Sequence, residues 1–411
     1  MTAPTTPAPI LLDLTQDVAL LTAAILDIPS VSGGERALAD AVEHALRTQT
    51  TLAVTRDGDA VVARSTLGRA ERVILAGHLD TVPLPTTVGA RGTVPSSWDG
   101  VPGEGVLWGR GATDMKSGVA VQLALAARLF PTRPVALAAA AVGAVTDDGG
   151  APPSATAAAA ATAAAAAPAP SPAWDVTFVF YDHEEVEAAK SGLGRLARNH
   201  PGLLAGDFAI LLEPTDGTVE GGCNGTLRVE ARTLGEAAHS ARAWMGSNAI
   251  HAAAPILARL AAYEPATVTV DGLDYREGLN AVKIFGGTAG NVIPDRCVVE
   301  INYRFAPDKT IDQAEQHVRD VLEGFDVVRT DGASGARPGL THPAAAAFVA
   351  AVGQEPKPKY GWTDVARFSE LGVPAVNFGP GDALLAHKDD ERVSAAAVHA
   401  CLAALEAWLV P

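Results

Sequence analysis

Four β-rich runs in this 411-residue chain each lead into a histidine or an acid. Val73–Ala76 is followed by Gly77-His78-Leu79-Asp80, Val176–Tyr181 by Asp182-His183-Glu184-Glu185, and Phe208–Leu212 by Glu213-Pro214. Val373–Phe378 runs through Gly379-Pro380-Gly381 to Ala386-His387-Lys388. A further acid, Asp114, stands in the turn Gly109-Arg110-Gly111-Ala112-Thr113-Asp114-Met115-Lys116, just ahead of a helical stretch. Imidazoles and carboxylates without a thiolate make a nitrogen and oxygen donor set. It suits zinc, cobalt or manganese at a hydrolytic centre rather than a structural cysteine site. A carboxylate can bridge two such metals about 3.5–4 Å apart and so build a dinuclear centre that activates water. His78-Leu79-Asp80 adds a cue, because an acid two residues past a ligating histidine can hold the other ring N–H.

Taken singly, each signal has a plainer reading. A histidine at a strand end is often packed or solvated, a Glu-Glu pair is usually a surface feature, Asp114 could cap the following helix, and Glu213 before proline could be a turn residue. The pattern carries weight as a set, since an acid or histidine follows each of four separate buried strands.

The elements that must position these side chains read as α/β. The four runs have the continuous apolar character of strands buried on both faces, while Ser117–Leu129 and Val365–Leu371 have helical spacing. Ligands of open α/β sheets bind beyond the carboxyl ends of the strands, where all these acids and imidazoles fall. From about Glu220 to Val328 the pattern changes. Leu227–Ala231 alternates in period two, a helical run covers Asn248–Tyr263, strands return at Val268–Val270, Ala281–Phe285 and Cys297–Phe305, and a helix follows at Ile311–Leu322. That order predicts a smaller α+β unit, residues 220–330, inserted between the two parts of a larger domain, 1–219 and 331–411.

The composition narrows the function. With 31 Lys and Arg against 47 Asp and Glu, the net charge of −16 argues against nucleic acid and anionic membrane as partners. Cys223, Cys297 and Cys401 have no C-x-x-C spacing, so neither a disulfide framework nor a thiolate zinc site is available, and a reducing cytoplasm fits. The N-terminal stretch has no Lys or Arg and its apolar run is broken by Asp13 and Asp17, which does not read as a signal peptide. Val135–Val145 is the longest strictly apolar run, well short of the ~20 residues that cross a bilayer. The 48% hydrophobic content is inflated by an Ala/Pro-rich insertion, about 146–172, whose Ala155–Ala167 core reads as a solvated, mobile segment flanked by prolines.

The motifs assembled above also carry a resemblance. Gly77-His78-Leu79-Asp80-Thr81-Val82-Pro83, Gly109–Lys116, Glu184-Glu185, Glu213-Pro214, Ala238-His239-Ser240-Ala241-Arg242, Gly290-Asn291-Val292-Ile293-Pro294 and His387-Lys388 together resemble the M20 metallopeptidase/deacylase family, and within it the actinobacterial branch of its desuccinylases. The resemblance implies a metal-binding catalytic domain with a helix-covered mixed sheet, an inserted α+β dimerisation or lid domain, a homodimer, and two divalent ions, zinc first and cobalt second. It implies Asp114 as the ligand shared by both metals, His78 and Glu213 completing one site, Glu185 and His387 the other. Glu184 matches the family's general base and Asp80 its outer acid. His239 matches a histidine that reaches the partner subunit's site to stabilise an oxyanion; Asn291, Arg304 and Thr363 match substrate-binding positions. The implied reaction is hydrolysis of a small N-acyl amino acid, with N-succinyl-LL-2,6-diaminopimelate as the favoured substrate. Acetylornithine deacetylase, aminoacylase and carboxypeptidase are sister activities on the same core, and a non-catalytic binding module of the same fold is the remote alternative.

Three positions depart from the pattern or stand outside it. His183 occupies a place where the family often has a second acid and reads as outer-shell or structural. Trp362, in Trp362–Phe368, replaces a small residue next to the acyl pocket. Cys223, near the domain junction, reads as a buried inert thiol. Because neighbouring residues of a strand point to opposite sides, Glu184 and Glu185 can both face one site only if the chain leaves extended geometry there. Backbone strain is therefore predicted beside them.

Overall fold

The computed structural model describes residues 10–132 and 171–411. The expectations for Val135–Val145 and for the Ala/Pro-rich insertion fall outside those residues, except for Ser171 and Pro172 at its end. In the larger domain, β1 (Ala53–Asp57) and β2 (Ala60–Arg64) form a hairpin, followed by β3 (Arg72–His78), the short β4 (Ser97–Asp99) and β5 (Val106–Trp108), then β6 (Asp175–Tyr181), β7 (Phe208–Leu211) and β8 (Glu220–Gly221). After the inserted domain come β15 (Lys357–Pro358), β16 (Ala375–Asn377) and β17 (Arg392–Ser394). Eight of these strands make one sheet in the order β1-β2-β6-β3-β7-β16-β8-β15. Its centre, β6-β3-β7-β16, is parallel, and the pairs β1/β2, β2/β6 and β16/β8 are antiparallel, so the sheet is mixed. β17, β5 and β4 form a separate three-stranded sheet.

Alternation along the central strands sorts their side chains into two cores. Val73, Leu75, Phe178, Phe208 and Ile210 face one layer with α1 (Val18–Leu26), α2 (Arg36–Gln49), α3 (Lys116–Leu129), α8 (Pro343–Val352) and α10 (Ala395–Leu409). Ile74, Ala76, Val179 and Leu211 face the other, with α4 (Gly192–Asn199) and α9 (Val365–Glu370). β6, β7 and β16 are buried throughout, which is why their sequences read as unbroken apolar runs. Helix α3 is buried along nearly its whole length, and Gly118 lets it approach β7: an added Cβ would collide with the Leu212 carbonyl.

The inserted domain contains β9 (Gly225–Leu234), the hairpin β10 (Thr267–Val270) and β11 (Leu273–Arg276), then β12 (Gly278–Gly286), β13 (Arg296–Phe305) and β14 (Asp326–Ala333). Four strands form an antiparallel sheet in the order β12-β13-β9-β14. Its apolar face, Leu227, Val229, Ile301 and Tyr303, packs on α5 (Ala249–Ala252), α6 (Ala254–Ala261) and α7 (Ile311–Val321). The single helix expected over Asn248–Tyr263 is two helices joined at Ala253, because Pro255 lacks the N–H that a continuous helix would use there. The two strands of chain that connect the domains pair where they cross: the Cys223 N–H donates to the Ala336 carbonyl at 2.9 Å and Ala336 returns a bond at 3.1 Å.

Candidate active site

The carboxyl ends of the parallel strands converge as the sequence pattern predicts. His78 is the last residue of β3, Glu184 and Glu185 lie in the loop after β6, Glu213 follows β7, and His387 lies in the loop after β16. Asp114 stands two residues before α3, where the partial positive charge of the helix N-terminus favours a carboxylate. Donor atoms of His78, Asp114 and Glu213 lie within 4.8 Å of one another, as do those of Asp114, Glu185 and His387. Asp114 belongs to both groups: its Oδ1 is 3.2 Å from His78 Nε2, and its Oδ2 is 3.2 Å from His387 Nε2. His387 Nε2 is also 3.0 Å from Glu185 Oε1. Glu184 lies within the same 4.8 Å reach of His78 and Glu185, so distance alone does not separate it from the other acids.

The Glu184-Glu185 turn is built around Asp80, which is fully buried. Its two carboxylate oxygens accept the Glu184 and Glu185 N–H groups at 3.0 Å each, and the Ser32 hydroxyl donates to it at 2.7 Å. This differs from the arrangement read from His78-Leu79-Asp80. The nearest acceptor for His78 Nδ1 is the Asp80 backbone carbonyl at 2.9 Å, with the carboxylate at 3.6 Å, because that carboxylate is already turned toward the two N–H groups. Strain lies where extended geometry has to end: His183 has φ +58°, a left-handed conformation uncommon outside glycine. The His183 ring is 2.7 Å from Asp182 Oδ2 and joins none of the groups that could hold a metal among the described residues.

The acids crowd one another, and their protonation reflects it. Burial pushes the Glu213 carboxyl up to about 8, reinforced by the neighbouring Asp114 charge. Burial likewise raises Glu184 well above the usual carboxylate range; His78 opposes the shift, and Glu185, Glu213 and Asp364 add to it. Hydrogen bonds to Asp114 and then Glu185 raise His387 to about 10. Glu213 Oε1 is buried with no hydrogen-bond partner among the described residues. A buried, partnerless oxygen beside two imidazoles and several carboxylates, with no thiolate in either group, fits a pair of divalent cations.

These groups open into a cavity of about 920 Å³ that Arg304, Thr363 and Trp362 also line. The Thr363 hydroxyl donates to Asn377 Oδ1 at 2.9 Å. The Trp362 indole N–H donates to the Ser334 carbonyl at 3.0 Å, tying this wall to the chain leaving the inserted domain. Cys223 is buried behind Thr363 with its thiol pushed up to about 11 by burial, an inert sulfur at the domain crossing. His239 and Asn291 are brought to each other, with the Ser240 N–H donating to the Asn291 carbonyl at 2.9 Å, but both are solvent-exposed and neither lines the cavity of their own chain.

One support of the site has no counterpart among the motifs read from the sequence. Glu391 is buried; its Oε1 accepts the Thr113 and Asp114 N–H groups at 3.0 Å each, and its Oε2 pairs with Arg110 at 2.8 Å. Glu391 lies 281 residues from Arg110 and has no local signal.

Comparison with known proteins agrees with this architecture. Residues 74–144 match peptidase family M20/M25/M40, and residues 222–327 match the peptidase dimerisation domain. A Mycobacterium tuberculosis protein that carries the provisional name succinyl-diaminopimelate desuccinylase is 48% identical over 402 residues, covering 97% of this chain and 99% of its own length. The succinyl-diaminopimelate desuccinylase of Corynebacterium glutamicum is 40% identical, covering 93% of each chain. Among solved structures, a Staphylococcus aureus tripeptidase superposes with a TM-score of 0.67 at 17% identity, covering 97% of this chain and 98% of its own. A dinuclear metal-binding M20 peptidase of Bacillus subtilis does so with a TM-score of 0.62 at 16% identity, covering 97% and 98%. The chain belongs to the M20 peptidase family, and its inserted α+β unit matches that family's dimerisation domain.

Proposed function

We propose that this protein is a dinuclear metal amide hydrolase that cleaves N-succinyl-LL-2,6-diaminopimelate to succinate and LL-2,6-diaminopimelate in the cytoplasm. The observation that carries the chemistry is Asp114, whose two oxygens face His78 on one side and His387 on the other. The choice of substrate rests on the names of the relatives at 48% and 40% identity over nearly the whole chain.

One divalent cation, zinc in preference to cobalt, would be held by His78, Asp114 and Glu213, and a second by Asp114, Glu185 and His387. When bound, such a pair supplies Lewis acidity that polarises the amide carbonyl and lowers the pKa of water toward ~7. Glu184 takes the proton of the attacking water and returns it to the departing amine; its buried setting lifts its pKa toward the value such a shuttle needs. Asp80 fixes the turn on which Glu184 and Glu185 sit. Arg304 and Thr363 bind substrate from the cavity wall.

His239 would stabilise the oxyanion in a second copy of the chain, with Asn291 beside it meeting substrate, since neither lines the cavity of its own chain. The homodimer this requires is supported by β12, an edge strand with Val282, Ile284 and Phe285 about half exposed. Gly286 at its end lies against Ile250, and Ile250 and Leu257 continue the exposed apolar surface.

The test is Glu184→Gln. Succinate release should fall about 10²–10⁴-fold, the contribution of a positioned proton shuttle, while metal content stays that of the parent. Loss of metal in step with activity would make Glu184 a ligand and overturn the assignment.

A further inference from the structure

Beside Arg304 the cavity has a further set of charges, Arg228 and Asp331, that the amide cleavage leaves unused. It lies on the polar face of the inserted domain's sheet. In the antiparallel register Arg304 faces Thr226 and Asn302 faces Arg228, so Arg228 and Arg304 are diagonal neighbours on one face of β9 and β13. On the other side of β9, Asp331 of β14 pairs with Arg228. All three side chains line the cavity that holds Asp114, Glu184 and Glu185.

Two features show that these charges await a ligand. First, Arg304 lies beside Arg228 on the same sheet face, burial and then the Arg228 charge lower its pKa, and Arg304, half-buried, has no ion-pair partner among the described residues. Like charges held side by side at a cavity wall call for a shared anion, and guanidinium forks grip a carboxylate through paired N–H donors. Second, Asp331 is 3.7 Å from Arg228, longer than the about 2.7–3.2 Å of a formed N–H···O bond. Its oxygens are therefore free to accept from another cation.

We propose that Arg228, Arg304 and Asp331 form a receptor for an amino-acid head group, in which the guanidiniums take the carboxylate and Asp331 takes the ammonium. This rests on the substrate reading above. The far end of N-succinyl-LL-2,6-diaminopimelate carries such a pair, one ammonium and one carboxylate on a single carbon. A substrate lacking either group leaves a charge of the receptor unpaired, which is how a polar site rejects near relatives.

Three substrates and two variants test this. N-succinyl-2-aminopimelate lacks the far ammonium, and Nα-succinyl-lysine lacks the far carboxylate. Against the full substrate, each should lose about 10- to 100-fold in kcat/KM with the parent enzyme, the span one charge-assisted hydrogen bond accounts for. Asp331→Asn should lose a similar factor on the full substrate and none on N-succinyl-2-aminopimelate. Arg228→Gln should lose it on both dicarboxylates and not on Nα-succinyl-lysine. Ratios within one variant cancel any unfolded fraction. A uniform loss on all three substrates would overturn the receptor and leave the hydrolase reading standing, whereas parent enzyme that releases succinate from none of them would overturn that reading itself.

Discussion

Asp114 lies at the centre of the proposed chemistry, and the protons its neighbours carry bear on how metal would bind. Without bound cations, His387 is raised to about 10 by its hydrogen bonds to Asp114 and Glu185, and Glu213 to about 8 by burial beside Asp114. At pH 7 both therefore carry a proton that a divalent cation must displace. The sign follows directly. A histidine raised above its ordinary value keeps its proton until the pH climbs through about 10, so apparent metal affinity should increase with pH through 8 and on toward 10. Calorimetric titration at pH 7 in buffers of different ionisation enthalpy should register proton release on metal binding. Buffer-independent heats and a pH-independent affinity would contradict the arrangement.

At the scale of elements, the turn before α3 is held in place by a residue far away in sequence. Glu391 accepts both the Thr113 and Asp114 N–H groups and pairs with Arg110, with both partners nearly fully buried. Glu391→Gln should leave Arg110 as an unpaired buried charge and loosen Asp114. A stability loss on the order of 3 kcal/mol by denaturant unfolding and about 10- to 100-fold weaker metal binding are expected. Unchanged metal affinity would show that the turn holds itself. Gly379 is a second support, since an added Cβ there would collide with the carbonyls of Leu212 and Glu213; Gly379→Ala should lower the thermal midpoint and the rate together. These supports also mark the limit of what the sequence made legible. Each of the four apolar runs is a strand, and the acid or imidazole that follows it reaches the common edge, because burial on both faces leaves an unmistakable pattern and short loops carry the site. The β1–β2 hairpin passed unread, since its partly polar outer strand alternates weakly. Glu391 passed unread because its role comes from contacts across 281 residues, and the Asp80 carboxylate was aimed differently because its N–H partners lie 104 and 105 residues away.

For the whole molecule, the site of one chain is incomplete if His239 serves a second copy. Placing a charge on the exposed edge strand, as in Ile284→Asp, should yield monomers by sedimentation that retain metal but turn over slowly. Mixed dimers of His239→Ala and Glu184→Gln chains should regain part of the activity that either variant lacks alone, because one site then has both groups. No recovery would place His239 within its own chain's reaction. The net charge of −16 matters at this scale too: nine acids against five Lys and Arg line the cavity, and two divalent cations would offset that excess, leaving Arg228 and Arg304 to meet a dicarboxylic substrate inside an acidic surface. The decisive experiment compares kcat/KM of the zinc-loaded protein for N-succinyl-LL-2,6-diaminopimelate, N-acetylornithine and simple dipeptides, side by side. Metal-dependent succinate release with the succinylated substrate preferred is expected; faster cleavage of acetylornithine or a dipeptide, or hydrolysis unaffected by removing metal, would overturn the proposed function.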